Sequence, residues 1–145
     1  MHGRFPYKKL DTYPHMGPND AALWERFITI FPTLYETVEY DVRVGEGAIR
    51  EQEVEENVYK QNTKGLTKFR IDVVAVSLFG EIFVIEIRPY AGLSALGHVL
   101  GGTHLFERDN NLAPVRPKII TDRAQSDMEE ICFAHSVDLV ELNKL

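Results

Sequence analysis

Hydrophobic and polar positions alternate most clearly in TVEYDVRVGEG, where Val38, Tyr40, Val42 and Val44 interleave with Glu39, Asp41 and Arg43. A period of two is that of a half-buried strand, here ending at Gly45. Upstream, DAALWERFITIF repeats at helical spacing. Leu23, Phe27 and Ile30 share one face with Trp24 and Phe31 beside it, which predicts a helix capped by Asn19 and stopped by Pro32. KFRIDVVAVSL and IFVIEIRPY are both β-branched and aromatic, and Gly80 between them supplies the left-handed conformation that a tight loop requires, so the two form an antiparallel hairpin. After Pro89, Leu93, Leu96 and Leu100 line up on one helical face. Gly97, Gly101 and Gly102 each weaken that helix by roughly 1 kcal/mol relative to alanine, and are expected to let it approach a sheet closely. VRPKIITD reads as a strand, Ser126 and Glu129 as the capping box of a short helix, and VDLVEL as a closing strand.

Two stretches carry no such period. Residues 1–18, rich in Pro, Gly, Tyr and Lys, read as an extended arm, and EGAIREQEVEENVYKQNTKG as either a long loop or a short frayed helix. The order helix, strand, hairpin, helix, strand, helix, strand argues for an α/β fold with one mixed sheet and helices packed on it. The expected organisation is an arm over residues 1–18 and a single domain over residues 19–145, with no internal repeat or linker.

Composition narrows the setting. A chain of 145 residues, 44% hydrophobic and 26% charged, suits one ordinarily packed domain and excludes disorder and collagen. The single cysteine, Cys132, allows neither an internal disulfide nor a cysteine-based zinc site, which points to a reducing, cytoplasmic environment. No apolar run approaches the roughly 18 residues of a membrane span, so no membrane partner is expected. With 16 Lys plus Arg against 22 Asp plus Glu, the net charge of −6 opposes generic attraction to a phosphate backbone. Any DNA contact has to come from a local patch.

The hairpin carries the chemistry. If Leu78, Phe79 and Gly80 form a three-residue loop, Ser77 faces Glu81 and Asp72 falls directly opposite Glu86. Opposed residues have Cβ atoms about 4.5–5.5 Å apart, and like charges there are destabilising unless neutralised. A divalent cation does this. Arg88, two residues beyond Glu86, points the same way and brings a positive charge alongside. Carboxylate oxygens suit Mg²⁺ or Mn²⁺, hard cations able to bind a phosphodiester and activate water. The competing explanation is a purely structural ion pair between Glu86 and Arg88, Arg70 or a lysine.

The run RID at 70–72, a short loop, VIEIR at 84–88, the helix ALGHVLGGTHLF and the strand PKIITD together resemble the PD-(D/E)XK nuclease-like superfamily. The resemblance spans about Trp24 to Val140 and implies a restriction-endonuclease-like αβββαβ core. It implies that Asp72 is the metal-binding aspartate, that Glu86 is the second acid, and that Arg88 stands where the family usually carries lysine. A guanidinium stays protonated, with a pKa above about 12, so Arg88 can brace a phosphate but cannot take a proton from water. Lys68 and Lys118 are the candidates for a relocated lysine. His98 falls near a glutamine position common in the family's helix. Glu25 resembles the helix-borne acid some members use, although its place opposite Leu23 equally suits a solvent-facing residue.

Two functions follow. The chain is expected to be a nuclease-fold protein without cleavage activity, serving as a structural or assembly subunit of a DNA-handling complex such as a phage particle. Arg88, the acidic balance and an arm whose Phe5, Tyr7, Tyr13 and Met16 have no obvious place in a small core motivate this, with the arm binding a protein partner or a second copy. The alternative is a Mg²⁺-dependent deoxyribonuclease using Asp72, Glu86 and Arg88. Elsewhere the sequence is bland: His98 and His104 fall on different helical faces, and Arg88, Arg108, Arg116, Lys118 and Arg123 read as dispersed surface charges.

Overall fold

The computed structural model describes residues 4–46 and 69–145; the acidic stretch that follows Glu46, with Lys68, lies outside them. The chain runs β1 (Phe5–Pro6), α1 (Pro18–Ile30), β2 (Thr37–Val44), β3 (Phe69–Val76), β4 (Ile82–Ala91), α2 (Leu93–Asn110), β5 (Arg116–Ala124), α3 (Met128–Ala134), β6 (Asp138–Glu141) and a last 3₁₀ turn (Leu142–Lys144). The strands form one six-stranded mixed sheet in the order β1-β2-β3-β4-β5-β6. Neighbours are antiparallel from β1 to β4 and parallel from β4 to β6. Helix α2 is the crossover that the parallel β4–β5 step requires.

Two helix starts differ from the sequence reading. Helix α1 begins earlier, with Pro18 in its first turn and Gly17 at the cap, so Asn19 lies inside the helix. The pre-set φ of proline starts the helix without a side-chain cap. At α3 the cap is Asp127, in the left-handed region at φ +71°, and the Ser126–Glu129 box does not form.

The sheet separates two hydrophobic layers. On one side Leu23, Trp24, Phe27 and Ile28 of α1 meet Val38, Tyr40, Val73, Ile85 and Ile87. On the other, Ala95, Leu96, Val99 and Phe106 of α2 and Met128 and Cys132 of α3 meet Val44, Ile71, Val74 and Ile119. Trp24, fully buried, donates its indole N–H to the Tyr40 hydroxyl at 2.9 Å, which satisfies both polar groups within the core. The arm is built into the first layer: Phe5 packs on Tyr40, Tyr7 contacts Trp24 and Tyr35 edge-on, and Tyr13 packs on Tyr40. The Tyr7 hydroxyl donates to the Phe31 carbonyl at 2.7 Å.

The alternation in β2 does not keep one face. Val38 and Tyr40 belong to the α1 layer, whereas Val42 and Val44 belong to the α2 layer. Strand β3 makes the same exchange, with Val73 in the α1 layer and Ile71 in the α2 layer. The ladder pairs Tyr40 with Val73 and Val42 with Ile71, passing over Asp41 and Asp72 between them. Asp41 adopts φ +52°, and a single left-handed residue there reverses which side the following residues face.

Of the three helical glycines, two hold α2 against the sheet. A Cβ on Gly102 would lie 3.2 Å from Ile71 and Phe69, and one on Gly101 would lie 3.5 Å from Phe69, whereas one on Gly97 would meet nothing within 4 Å. Gly97→Ala is therefore expected to stabilise the protein by about 0.5–1 kcal/mol through helix propensity alone. Gly102→Val is expected to destabilise it by about 1–3 kcal/mol through overpacking against β3. Thermal unfolding of the two variants checks the pair; equal and same-signed shifts in Tm contradict the packing argument.

Candidate active site

The hairpin loop sets the geometry. The Ser77 N–H donates to the Glu81 carbonyl at 2.9 Å, and the Ser77 hydroxyl accepts the N–H groups of Phe79 at 3.3 Å and Glu81 at 3.1 Å. Gly80, at φ +84°, donates its N–H to the Ser77 carbonyl at 3.0 Å, which closes the three-residue loop. From there the rungs run Val76↔Ile82, Ala75↔Phe83, Val74↔Val84 and Val73↔Ile85, so Asp72 and Glu86 come just past the final rung. In place of a backbone rung, the Asp72 carboxylate accepts the Ile87 N–H at 2.9 Å. Glu86, only 6% exposed, accepts from Arg88 Nε at 2.7 Å. Asp72, Glu86 and Arg88 thus gather where β3 and β4 part.

The electrostatics follow from burial. Burial, followed by the nearby Asp72 charge, pushes the Glu86 carboxyl up to about 8, despite the charge and hydrogen bond of Arg88. Burial also raises Asp72, against the opposing pull of the Ile87 hydrogen bond and of the Arg88 and Arg70 charges. The ion pair with Arg88 is real, yet it leaves Glu86 favouring its protonated form. One guanidinium does not compensate buried Glu86 and half-buried Asp72 together.

A third acid, Asp20 in the first turn of α1, acts on both carboxylates and feels Arg88 in turn; burial raises it. In the sequence the candidate for a helix-borne acid is Glu25. Glu25 instead accepts the Tyr13 hydroxyl at 2.8 Å and serves the arm. An acid in the first turn of a helix is ordinarily explained by the helix dipole, so Asp20 carries no distinctive signal. Asp41, at the exchange point of β2, holds His15 at 3.2 Å, Arg43 at 3.3 Å and Arg70 at 3.7 Å. His98 of α2 stacks at a tilt on Phe69 with ring centroids 4.6 Å apart, and burial, then the Arg88 charge, lowers its pKa.

Lys118 is not a surface charge and does not join the acids. It is 7% exposed, donates to the Tyr35 hydroxyl at 2.6 Å, and lies 5.0–5.6 Å from the ring centroids of Phe27, Tyr35 and Phe83. Burial lowers its pKa. Arg108 and Arg116 are surface charges taken up by Asp109 and by Glu81 and Asp138.

Among the described residues no group of three or more His, Cys, Asp or Glu side chains comes together as a ready ligand set. Asp72 and Glu86 nevertheless fit a Mg²⁺ or Mn²⁺ ion. Their donors are hard oxygens, and Mg²⁺ commonly takes one or two carboxylates from the protein and completes its shell with water and phosphate. Their raised affinity for protons shows that the pair favours neutralisation.

No protein-family model and no curated protein matches the chain. Solved structures do. A repair endonuclease from Pyrococcus abyssi superposes with a TM-score of 0.51 at 16% identity, covering 92% of this chain and 49% of that one. EndoMS in complex with double-stranded DNA gives 0.52 at 15% identity, covering 92% and 48%. A protein of unknown function gives 0.52 at 16% identity, covering 83% and 55%. The chain spans about half the length of these neighbours. No helix among the described residues is long and apolar enough to cross a membrane. At these identities the likeness is one of fold: the chain shares the mixed α/β fold of these repair endonucleases, the fold that the resemblance in its sequence implies.

Proposed function

We propose that the chain is a metal-dependent deoxyribonuclease in which Asp72 and Glu86 hold a divalent cation and Arg88 braces the scissile phosphate. The observation that carries this reading is the meeting of buried Glu86 and half-buried Asp72 at one point, with Arg88 the arginine in hydrogen-bond contact with Glu86. A purely structural pair has no need of the second acid. The neighbour solved with double-stranded DNA makes DNA a reasonable substrate.

Each residue has a definable task. Asp72 is oriented by the Ile87 N–H, and Glu86 by Arg88, so both carboxylates present oxygens from fixed positions. A cation bound there supplies Lewis-acid polarisation of the phosphodiester and a lowered pKa for bound water. Arg88, released in part from Glu86, offers its remaining guanidinium N–H groups to phosphate oxygens. Since a guanidinium accepts no proton, the chain places no lysine base at this position. Turnover is therefore expected to rise with pH as the acids lose their protons and hydroxide becomes available.

The other reading, an assembly subunit without cleavage activity, rests on Arg88 in the lysine position, on the acidic balance and on the aromatic arm. Burial of Tyr7 and Tyr13 in the chain's own core removes the last of these three.

Purified protein is expected to nick supercoiled DNA with Mg²⁺ or Mn²⁺. Asp72→Ala should abolish nicking and the calorimetric heat of Mn²⁺ binding, and Arg88→Ala should slow cleavage by about 100-fold. Absence of cleavage with both metals removes the enzymatic reading.

Linkage gives a second expectation. Glu86 is raised from 4.5 to about 8, so the folded state binds the proton more tightly than the unfolded chain does. Its contribution to stability is present below the unfolded value and lost as pH rises through the folded one. Between about pH 4.5 and 8 the metal-free protein should therefore lose stability relative to Glu86→Gln, by on the order of 2–4 kcal/mol, with saturating Mn²⁺ recovering it at the upper end. Denaturant unfolding of both proteins at several pH values measures the difference. A difference that stays constant with pH contradicts the assigned burial of the charge.

A further inference from the structure

The strand that carries Glu86 and Arg88 continues through Pro89 to an exposed aromatic. Tyr90 is 52% exposed, and the guanidinium of Arg123 lies 5.5 Å from its ring centroid. The two are direct partners in the parallel ladder, on the rung that follows the pairing of Arg88 with Thr121. Two residues along a strand correspond to about 6.6 Å, which sets this ring and cation one repeat further along β4 than Arg88, across a stretch where the strand exchanges layers between Ile87 and Ala91.

The pair is held firmly. The buried Thr121 hydroxyl lies 3.1 Å from the Pro89 carbonyl and 3.0 Å from that of Arg123, and the Gln125 N–H donates to the Ala91 carbonyl at 2.8 Å. The next rung, Ala91↔Ala124, packs into the α2 layer. A half-exposed aromatic ring on a clamped strand end loses little freedom when something stacks on it.

We propose that Tyr90 and Arg123 form a stacking platform for an unpaired DNA base beside the acidic pair, so that the preferred substrate is single-stranded or locally unpaired DNA. The proposal rests on the nuclease reading for its purpose but on separate residues for its geometry. A surface ring can stack only on a base whose π-face is free, and within a duplex both faces are covered by neighbouring bases. The charge balance favours the same substrate. At −6 the molecule has little field with which to grip a long duplex backbone, so affinity has to come from local contacts. Stacking provides one that is independent of net charge. Arg123, which lies against the ring, then supplies a positive charge for the phosphate of the stacked nucleotide.

The test measures binding without cleavage. Fluorescence anisotropy of a labelled single-stranded oligonucleotide is recorded at pH 6.5 in EDTA, beside a hairpin-capped duplex and an oligonucleotide with abasic sites. Wild type should prefer the intact single strand. Tyr90→Ala and Tyr90→Leu should weaken it by about 5- to 100-fold, while Tyr90→Phe, which keeps the ring, should stay near wild type. None of the three should change affinity for the capped duplex or shift the thermal midpoint appreciably. Equal binding by Tyr90→Leu and Tyr90→Phe, an equal loss on all three nucleic acids, or no binding of single strands by wild type overturns the platform. Plasmid nicking with Mg²⁺ or Mn²⁺ stands apart from these outcomes. Nicking without ring-dependent binding removes the platform alone, and ring-dependent binding without nicking removes the nuclease alone.

Discussion

Like charges buried side by side are held together here by a backbone that offers them no other place. The closed loop at Ser77 and Gly80 counts the β3–β4 rungs, and the count ends at Val73↔Ile85. Beyond it the strands part: β4 continues along its parallel partner β5 as far as Ala91, and β3 along β2 as far as Phe69. Asp72 and Glu86 occupy that divergence. A slip of one residue would move every hydrophobic side chain of a strand to the wrong layer, so the cores on both sides of the sheet defend the register on which the acids depend.

The exchange of faces at Asp41 and Asp72 adds a second constraint. Because Ile71 belongs to the α2 layer and Val73 to the α1 layer, Asp72 sits at the crossing between layers, open to influence from both. This is how Asp20 of α1 and His98 of α2, on opposite sides of the sheet, both come within electrostatic reach of Arg88. Arg70, drawn toward Asp41, lends Asp72 part of its positive field.

Much of this is legible in the sequence. The periods of the hairpin, the helix after Pro89 and the last two strands place each element, and Gly80 with a three-residue loop is enough to bring Asp72 and Glu86 to corresponding positions just past the last rung, short of the direct pairing expected. What stays hidden depends on single backbone or side-chain choices that leave no period. The left-handed turn at Asp41 breaks a perfect alternation without altering it in sequence. Tyr7 and Tyr13 are buried although their segment has neither helical nor strand pattern, because aromatic packing against Trp24, Tyr35 and Tyr40 needs contact and not regularity. Asp20 looks like any acid at a helix start, and Glu25 looks more suitable only because its tyrosine partner lies 12 residues away.

The position of Lys118 shows why Arg88 is not relieved by a neighbour. On β5, Ile119 is the residue paired with Glu86, and Lys118 pairs with Ile85 one step before it. Successive residues of a strand face opposite layers, and Ile119 lies with α2 whereas Lys118 is enclosed by Phe27, Tyr35 and Phe83 on the α1 side. No rotation of the lysine side chain carries it across the sheet, and shifting β5 by one residue would exchange Ile119 and Ile120 between layers. Three aromatic rings and the Tyr35 hydroxyl surround its ammonium instead, and the charge of Asp138 partly offsets the cost of burying it. The lysine therefore braces the α1 layer, and the basic partner of the acids among the residues of β4 is Arg88, whose permanent charge favours phosphate binding over proton removal.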